Sequence, residues 1–167
     1  DYKTEVEIYK NAYGSEIDKK FLPHTLMSFA KVIVSSRLSE TSQALDEWIK
    51  NPKQYDKYCD KRLHLLQMEI FTGNIPFWLT AEDVKKLDRN IRRKIILEGD
   101  EQGRKGFTGR QSVEMFNSFY RRYVKRPDLI NIDNIVDFFR EDRRFSDKIP
   151  DGFLDALVSL YDYMVLQ

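Results

Sequence analysis

The residues whose types and spacing could do chemistry gather in one stretch, "EGDEQGRKGFTGRQSVEMF", from Glu98 to Phe116. Gly103, Gly106 and Gly109 interrupt dense charge there, and Arg110 opens an amphipathic run. Such a turn could cradle a phosphate or could simply join two helices. Glu98, Asp100 and Glu101 are close carboxylates, but on a charged loop nothing suggests the burial that would raise a pKa for acid–base work. His24 and His64 lie far apart, and His64 within an apolar helix reads as a hydrogen-bonded structural histidine rather than a metal ligand. Cys59 has no basic neighbour in sequence and reads as core rather than nucleophile. The phosphate-loop pattern is missing, as are the strand-led glycine motifs and the protein-kinase signature set. The chain alone is therefore expected not to be catalytic, and no metal site is expected.

The charge pattern frames that turn. The 167 residues carry 28 Lys and Arg against 27 Asp and Glu, a net +1. From Arg89 to Arg126, however, eleven cations face four anions, so this centre holds +7 and the remainder −6. A basic centre suits an anionic ligand, and alternating charge on solvated helix faces is the plainer reading. The 22 aromatic residues supply enough apolar area for a core. The single cysteine excludes an internal disulfide and fits a reducing, cytoplasmic compartment. No apolar run reaches the ~18 residues of a membrane span. The chain lacks an initiator Met and ends in an apolar helical pattern, which reads as a piece of a larger protein.

The elements that must position these residues are helices. "TEVEIYKNAYG" puts Val6, Tyr9, Ala12 and Tyr13 near one face and stops at Gly14. Pro23 stands as a first-turn proline, and Leu26, Phe29, Ala30, Ile33 and Val34 predict a well-buried helix ending near Leu38. "QALDEWIKN" is a short helix. Tyr55, Tyr58, Cys59, Leu63, Leu66 and Ile70 recur at helical spacing from Pro52 to Gly73. "NIPFW" is a loop whose Phe77 and Trp78 need a pocket. Thr80 starts a helix with Val84, Leu87, Ile91 and Ile95 on one face. Thr108 with Gln111 forms a capping-box pattern, and Asn131 can cap "IDNIVDFFRED". The expected fold is all-α, an irregular bundle of about seven or eight helices.

Two patterns carry a family resemblance. One runs through Asp100-Glu101, Gly106-Phe107-Thr108-Gly109-Arg110, the basic end Arg121 to Arg126, and Ile130-Asn131 with Asn134-Ile135. The other is Pro23, His24 and Leu26 leading to Arg37-Leu38. Together they resemble the region that follows the ATP-binding core of PrkA-type serine protein kinases. The resemblance implies a nucleotide-binding module of the AAA+ type, with residues 1–142 as a helical, lid-like region carrying an insert at about 42–90. Residues 143–167 would then begin a further helical region. It implies ATP and Mg in the full-length protein, a nucleotide-binding core in the same chain as partner, and a protein substrate for the kinase. Within such a lid an arginine reaches back to the nucleotide phosphates, because a guanidinium can hold two phosphate oxygens at once. Arg110 is the first candidate and Arg37 the second. This reading sets membranes and nucleic acid aside as partners.

Two other readings compete. The basic centre, residues 89–126, could make a helical nucleic-acid-binding module. Arg92, Arg93 and Lys94 are adjacent, as are Arg121 and Arg122, but neighbours on a helix point in different directions. Alternatively, exposed aromatics such as Phe77, Trp78, Tyr161 and Tyr163 could dock a protein.

Overall fold

A computed structural model describes residues 1–39, 41–101 and 106–165 of the chain. The described residues form α1 (Tyr2–Tyr13), α2 (Thr25–Arg37), α3 (Gln43–Trp48), α4 (His64–Thr72), α5 (Ala81–Lys86), α6 (Arg89–Glu101), α7 (Gly109–Tyr123), α8 (Ile132–Glu141), α9 (Arg143–Ser146) and α10 (Phe153–Val165). Short 3-10 turns cover Ser15–Lys20 and Pro52–Tyr55. The fold is all-α, as the periodicity predicts. Among the described residues the nearest thing to a sheet is one parallel bridge between Phe21 and Ile130.

The helix count exceeds the expectation because one predicted helix is split in two and α9 carries too little pattern to be seen; another predicted helix is interrupted as well, its first part reduced to a 3-10 turn. The first interruption lies between Pro52 and Gly73. Leu63 adopts a left-handed conformation (φ 57°), and the Asp60 carboxylate accepts hydrogen bonds from the backbone N–H of His64 (3.0 Å) and Leu65 (2.9 Å). Those are first-turn donors, so α4 starts afresh at His64. It ends at Gly73, where a positive φ of 96° lets the cap N–H reach the carbonyls of Glu69 and Ile70. The second interruption is at Leu87, after which the Asp88 carboxylate caps the Ile91 N–H (2.8 Å) and opens α6. Pro23 is not in the first turn of α2 either. The bridge holds Phe21 extended, with the Leu22 N–H donating to the Ile130 carbonyl (2.9 Å), and His24 turns the chain at φ 68° before the helix begins at Thr25.

The hub is α2. Phe29, Ala30, Val32 and Ile33 have no exposed surface, and each fully buried large side chain is worth ~1.5–3 kcal/mol. α1, α4, α8 and α10 all pack on this helix. Aromatic rings fill the space between. Tyr9 stacks on Phe116 with centroids 4.2 Å apart, and Phe29 meets the rings of Phe119 (4.9 Å) and Phe139 (5.2 Å). Val6 and Tyr9 of α1 are buried as expected, whereas Ala12 and Tyr13 stay exposed. Phe153 and Leu157 of α10 enter the same core as α2.

Candidate nucleic-acid interface

The glycine turn is built for packing. A Cβ placed on Gly106 would lie 2.2 Å from the Ser36 carbonyl oxygen, so the backbone of residue 106 rests directly on the end of α2. Gly109 has open space around it and heads α7. Gly103 lies outside the described residues. The predicted capping box is present: Thr108 Oγ1 accepts from the Gln111 N–H (3.1 Å) and Gln111 Oε1 accepts from the Thr108 N–H (2.9 Å). Two of the backbone donors at this helix start, those of Thr108 and Gln111, are thus already engaged.

The two candidate arginines are used differently and do not converge. Arg37 turns inward. Its Nη1 donates to the buried Glu5 carboxylate and its Nε to the Phe107 carbonyl, and Glu5 also accepts from Ser112 Oγ (3.4 Å). This guanidinium fastens α1, α2, the glycine turn and α7 at one point. Arg110 points outward, with a side chain 91% exposed and a 3.5 Å pair with Glu114 one turn on.

The remaining titratable candidates are structural. His64 is buried with Nε2 2.9 Å from the Ser35 carbonyl. Burial pushes the Cys59 thiol well up, and the adjacent Asp60 charge adds to it, which is the opposite of an activated nucleophile. Glu98 accepts from Ser42 Oγ and from the Ala44 N–H (3.3 Å), which places a carboxylate at the positive end of α3. Among the described residues no group of three His, Cys, Asp or Glu side chains could hold a metal ion. A buried cluster that sequence reasoning missed joins Tyr2, Lys31 and Glu69. The Tyr2 hydroxyl donates to Glu69 (2.9 Å) and Lys31 pairs with it at 3.0 Å. The available signal was a lysine in the middle of an apolar helix.

Among the described residues the basic centre has, besides Arg110, two groups of cations. At the end of α7, Arg122 pairs with Glu141, Arg121 Nε donates to the Asn117 carbonyl, and Arg126 lies 4.8 Å over the Tyr123 ring. These cations also complement the negative end of the helix dipole. The group on α5 and α6 is different. Lys85, Lys86, Arg89, Arg92, Arg93 and Lys94 are all exposed. Among the described residues only Lys86 has a carboxylate partner, Glu82 at 3.1 Å. Asp88, the one acid between them, is engaged as the α6 cap. Ile95 is fully buried and Ile91 half-buried as α6 packs on α3 and α4. The opposite side is left to the cations. Arg89, Arg92 and Arg93 stand at i, i+3 and i+4 and so share a face, a relation that comparing adjacent residues overlooks.

No family model and no solved structure matches the chain. It is similar to the DNA-directed RNA polymerase subunit beta' of Saccharophagus degradans and to that of Cellvibrio japonicus. Each is 26% identical over 149 residues, covering 86% of this chain and 10% of the relative. The chain thus spans about a tenth of the length of these curated relatives. This overturns the PrkA-type resemblance, and with it the kinase lid and the kinase, transferase and ATP-binding descriptions. The physical reason is visible in the structure. The motifs behind that resemblance are a glycine packed on a neighbouring helix, a threonine capping box and an asparagine capping box. These are devices for starting and seating helices in any helical protein. Setting nucleic acid aside as a partner loses its ground at the same time. No helix among the described residues is long and apolar enough to cross a membrane.

Proposed function

We propose that the chain is a helical module that contacts nucleic acid through the exposed cations of α5 and α6. The observation that carries this reading is the set Arg89, Arg92 and Arg93: exposed, on one helical face, and without carboxylate partners among the described residues. Cations with internal partners have little to gain from a phosphate. Unpaired ones release condensed counterions when they meet a phosphate backbone, which is the main source of non-specific affinity. The likeness to subunits of a DNA-directed RNA polymerase supports the same class of partner. Cys59, a single thiol buried in the core, goes with the reducing cytoplasm in which such a partner would be met.

Fluorescence anisotropy with labelled duplex DNA across a salt series tests this. Arg89→Ala/Arg92→Ala/Arg93→Ala should fold normally, since all three side chains are exposed. Each phosphate contact contributes about 0.9 to the salt slope, so the triple variant should lose about 2.7 of it. Across a fourfold rise in salt, wild type should then lose about 40-fold more affinity than the variant. Equal slopes for the two proteins would refute the assignment.

A further inference from the structure

Phe77 is the most exposed large hydrophobic side chain among the described residues, at 60%. The predicted pocket for the "NIPFW" loop takes only Trp78. Phe77 is nevertheless held firmly from behind. Its ring lies parallel to Tyr163 (centroids 5.7 Å, 14°) and edge-on to Tyr58 (6.5 Å, 75°). Tyr58 stacks in turn on the buried Trp78 (5.9 Å, 11°). Lys57 Nζ lies 5.1 Å from the Tyr163 ring centroid and 5.5 Å from that of Tyr58. The result is a supported aromatic surface with a cation at its edge.

Two basic segments meet beside it. Lys50, Lys53, Lys57, Lys61 and Arg62 are exposed, and none has a carboxylate partner among the described residues. Within residues 50–62 Asp56 is the one exposed acid, because Asp60 is buried, while Lys61 and Arg62 also share a cleft with Asp151 and Asp155. Asp83 pins this segment to α5: its carboxylate accepts from Gln54 Nε2 (3.1 Å) and from the Tyr55 hydroxyl, and its carbonyl from Trp48 Nε1 (2.8 Å). Lys85 and Lys86 follow directly, then Arg89 of α6. Phe77 precedes Thr80, the α5 cap, by three residues. The six residues of α5 span only about 9 Å. Lys57 thus adjoins the aromatic surface directly, and the short α5 links that surface along the chain to Arg89, Arg92 and Arg93, which have no carboxylate partner among the described residues.

We infer that the ligand of this surface is a single-stranded nucleic acid, its backbone following the cations of α5, α6 and residues 50–62 and one of its bases stacking on Phe77. The inference rests on the nucleic-acid reading above and names the form of the ligand. A duplex keeps its bases stacked inside and offers Phe77 no π-face, whereas an unpaired base does, whatever its sequence. An apolar protein surface would fit the ring as well, but it would bury Lys57 and the neighbouring cations without counter-charge.

The test uses the whole chain and two labelled probes, a mixed-sequence DNA strand of about 15 nucleotides, within the usual site size, and the duplex of that strand. Wild type should bind the single strand more tightly. Phe77→Ala should weaken single-strand binding about 5- to 140-fold, the range for loss of one base stack, and leave duplex binding unchanged. Phe77→Trp should restore it and Phe77→Leu should not, since leucine keeps the apolarity and loses the π-face. The exposure of Phe77 makes misfolding an improper explanation for any loss, and circular dichroism of each variant checks this. Equal affinity for both probes would overturn the inference, as would an unchanged Phe77→Ala. Wild-type behaviour of Phe77→Leu would overturn it too, since a contact that needs only apolarity is not a base stack. If the triple arginine variant still loses its salt slope in those cases, the wider nucleic-acid reading stands. If neither probe binds, both fall.

Discussion

Removing Arg37 should unfasten the molecule where α1, α2, the glycine turn and α7 meet. The guanidinium serves Glu5 on α1 and the Phe107 carbonyl at the glycine turn, and the Glu5 side chain is only 5% exposed. Arg37→Ala leaves that carboxylate buried without its counter-charge. Breaking a buried pair from one side costs about 3–5 kcal/mol. Arg37 itself is 25% exposed, so water can partly replace it and the lower end, about 3 kcal/mol, applies. For a chain of this size each kcal/mol moves the melting midpoint by about 2–4 °C, so the loss should read as ~6–12 °C. Urea unfolding followed by circular dichroism gives the free energy directly. The double variant Glu5→Leu/Arg37→Met removes both charges, and buried pairs replaced by apolar groups are often neutral. It should cost about 1–2 kcal/mol, mostly from the unpaired Phe107 carbonyl, and so less than Arg37→Ala alone. Arg110→Ala is the control, expected within about 0.5 kcal/mol of wild type for an exposed residue in the first turn of α7. A cost under 1 kcal/mol for Arg37→Ala, or additive effects of the two single changes, would refute the fastening argument.

Three further outcomes are expected. Gly106→Ala should destabilise by more than ~2 kcal/mol in the same urea assay, because a Cβ 2.2 Å from the Ser36 carbonyl forces the turn off α2. Thr108→Ala should cost about 1 kcal/mol through the lost capping box, and Thr108→Ser should recover most of it. Stability should fall as pH rises past about 9. Burial, then the nearby carboxylate, holds Tyr2 (by Glu69) and Tyr9 (by Glu5) above the ordinary 10.0, and burial raises the Cys59 thiol above 9.0. The native state therefore keeps protons that the unfolded chain releases, and its advantage is full below those ordinary values and shrinks above them. A midpoint in urea that stays level from pH 8 to 10.5 would contradict this.

Features that depend on residues three or four apart were legible in the sequence. The Thr108–Gln111 capping box and the Asn131 cap are of this kind, and the structure adds Asn134 as the reciprocal partner of Asn131. So is the apolar stripe of α2. What the pattern hid depends on distant partners or on backbone sign. Apolar spacing runs unbroken through Leu63 and Leu87, although Asp60 and Asp88 restart the helix just after. The start of α2 is displaced past Pro23 by a partner more than a hundred residues away, Ile130. The same limit governs the candidate site. Counting charge from 89 to 126 found the basic centre, but not that Arg122 is matched by Glu141 while Arg92 and Arg93 are free of any such partner among the described residues. Arg37 looked like a ligand-facing cation because nothing local shows that Glu5 waits for it.

The aromatic centre has a consequence for how the chain is made. Phe29 belongs to a helix that is finished early, yet the rings that cover it, Phe116, Phe119, Phe138 and Phe139, come from α7 and α8. A ribosome must deliver about a hundred more residues before that cover exists. Until then α1 and α2 present a bare apolar face, and the Phe21 strand position has no Ile130 to pair with. A chain interrupted before α8 is therefore not a smaller version of this protein. It is an adhesive intermediate, and the natural target of whatever holds or removes incomplete chains.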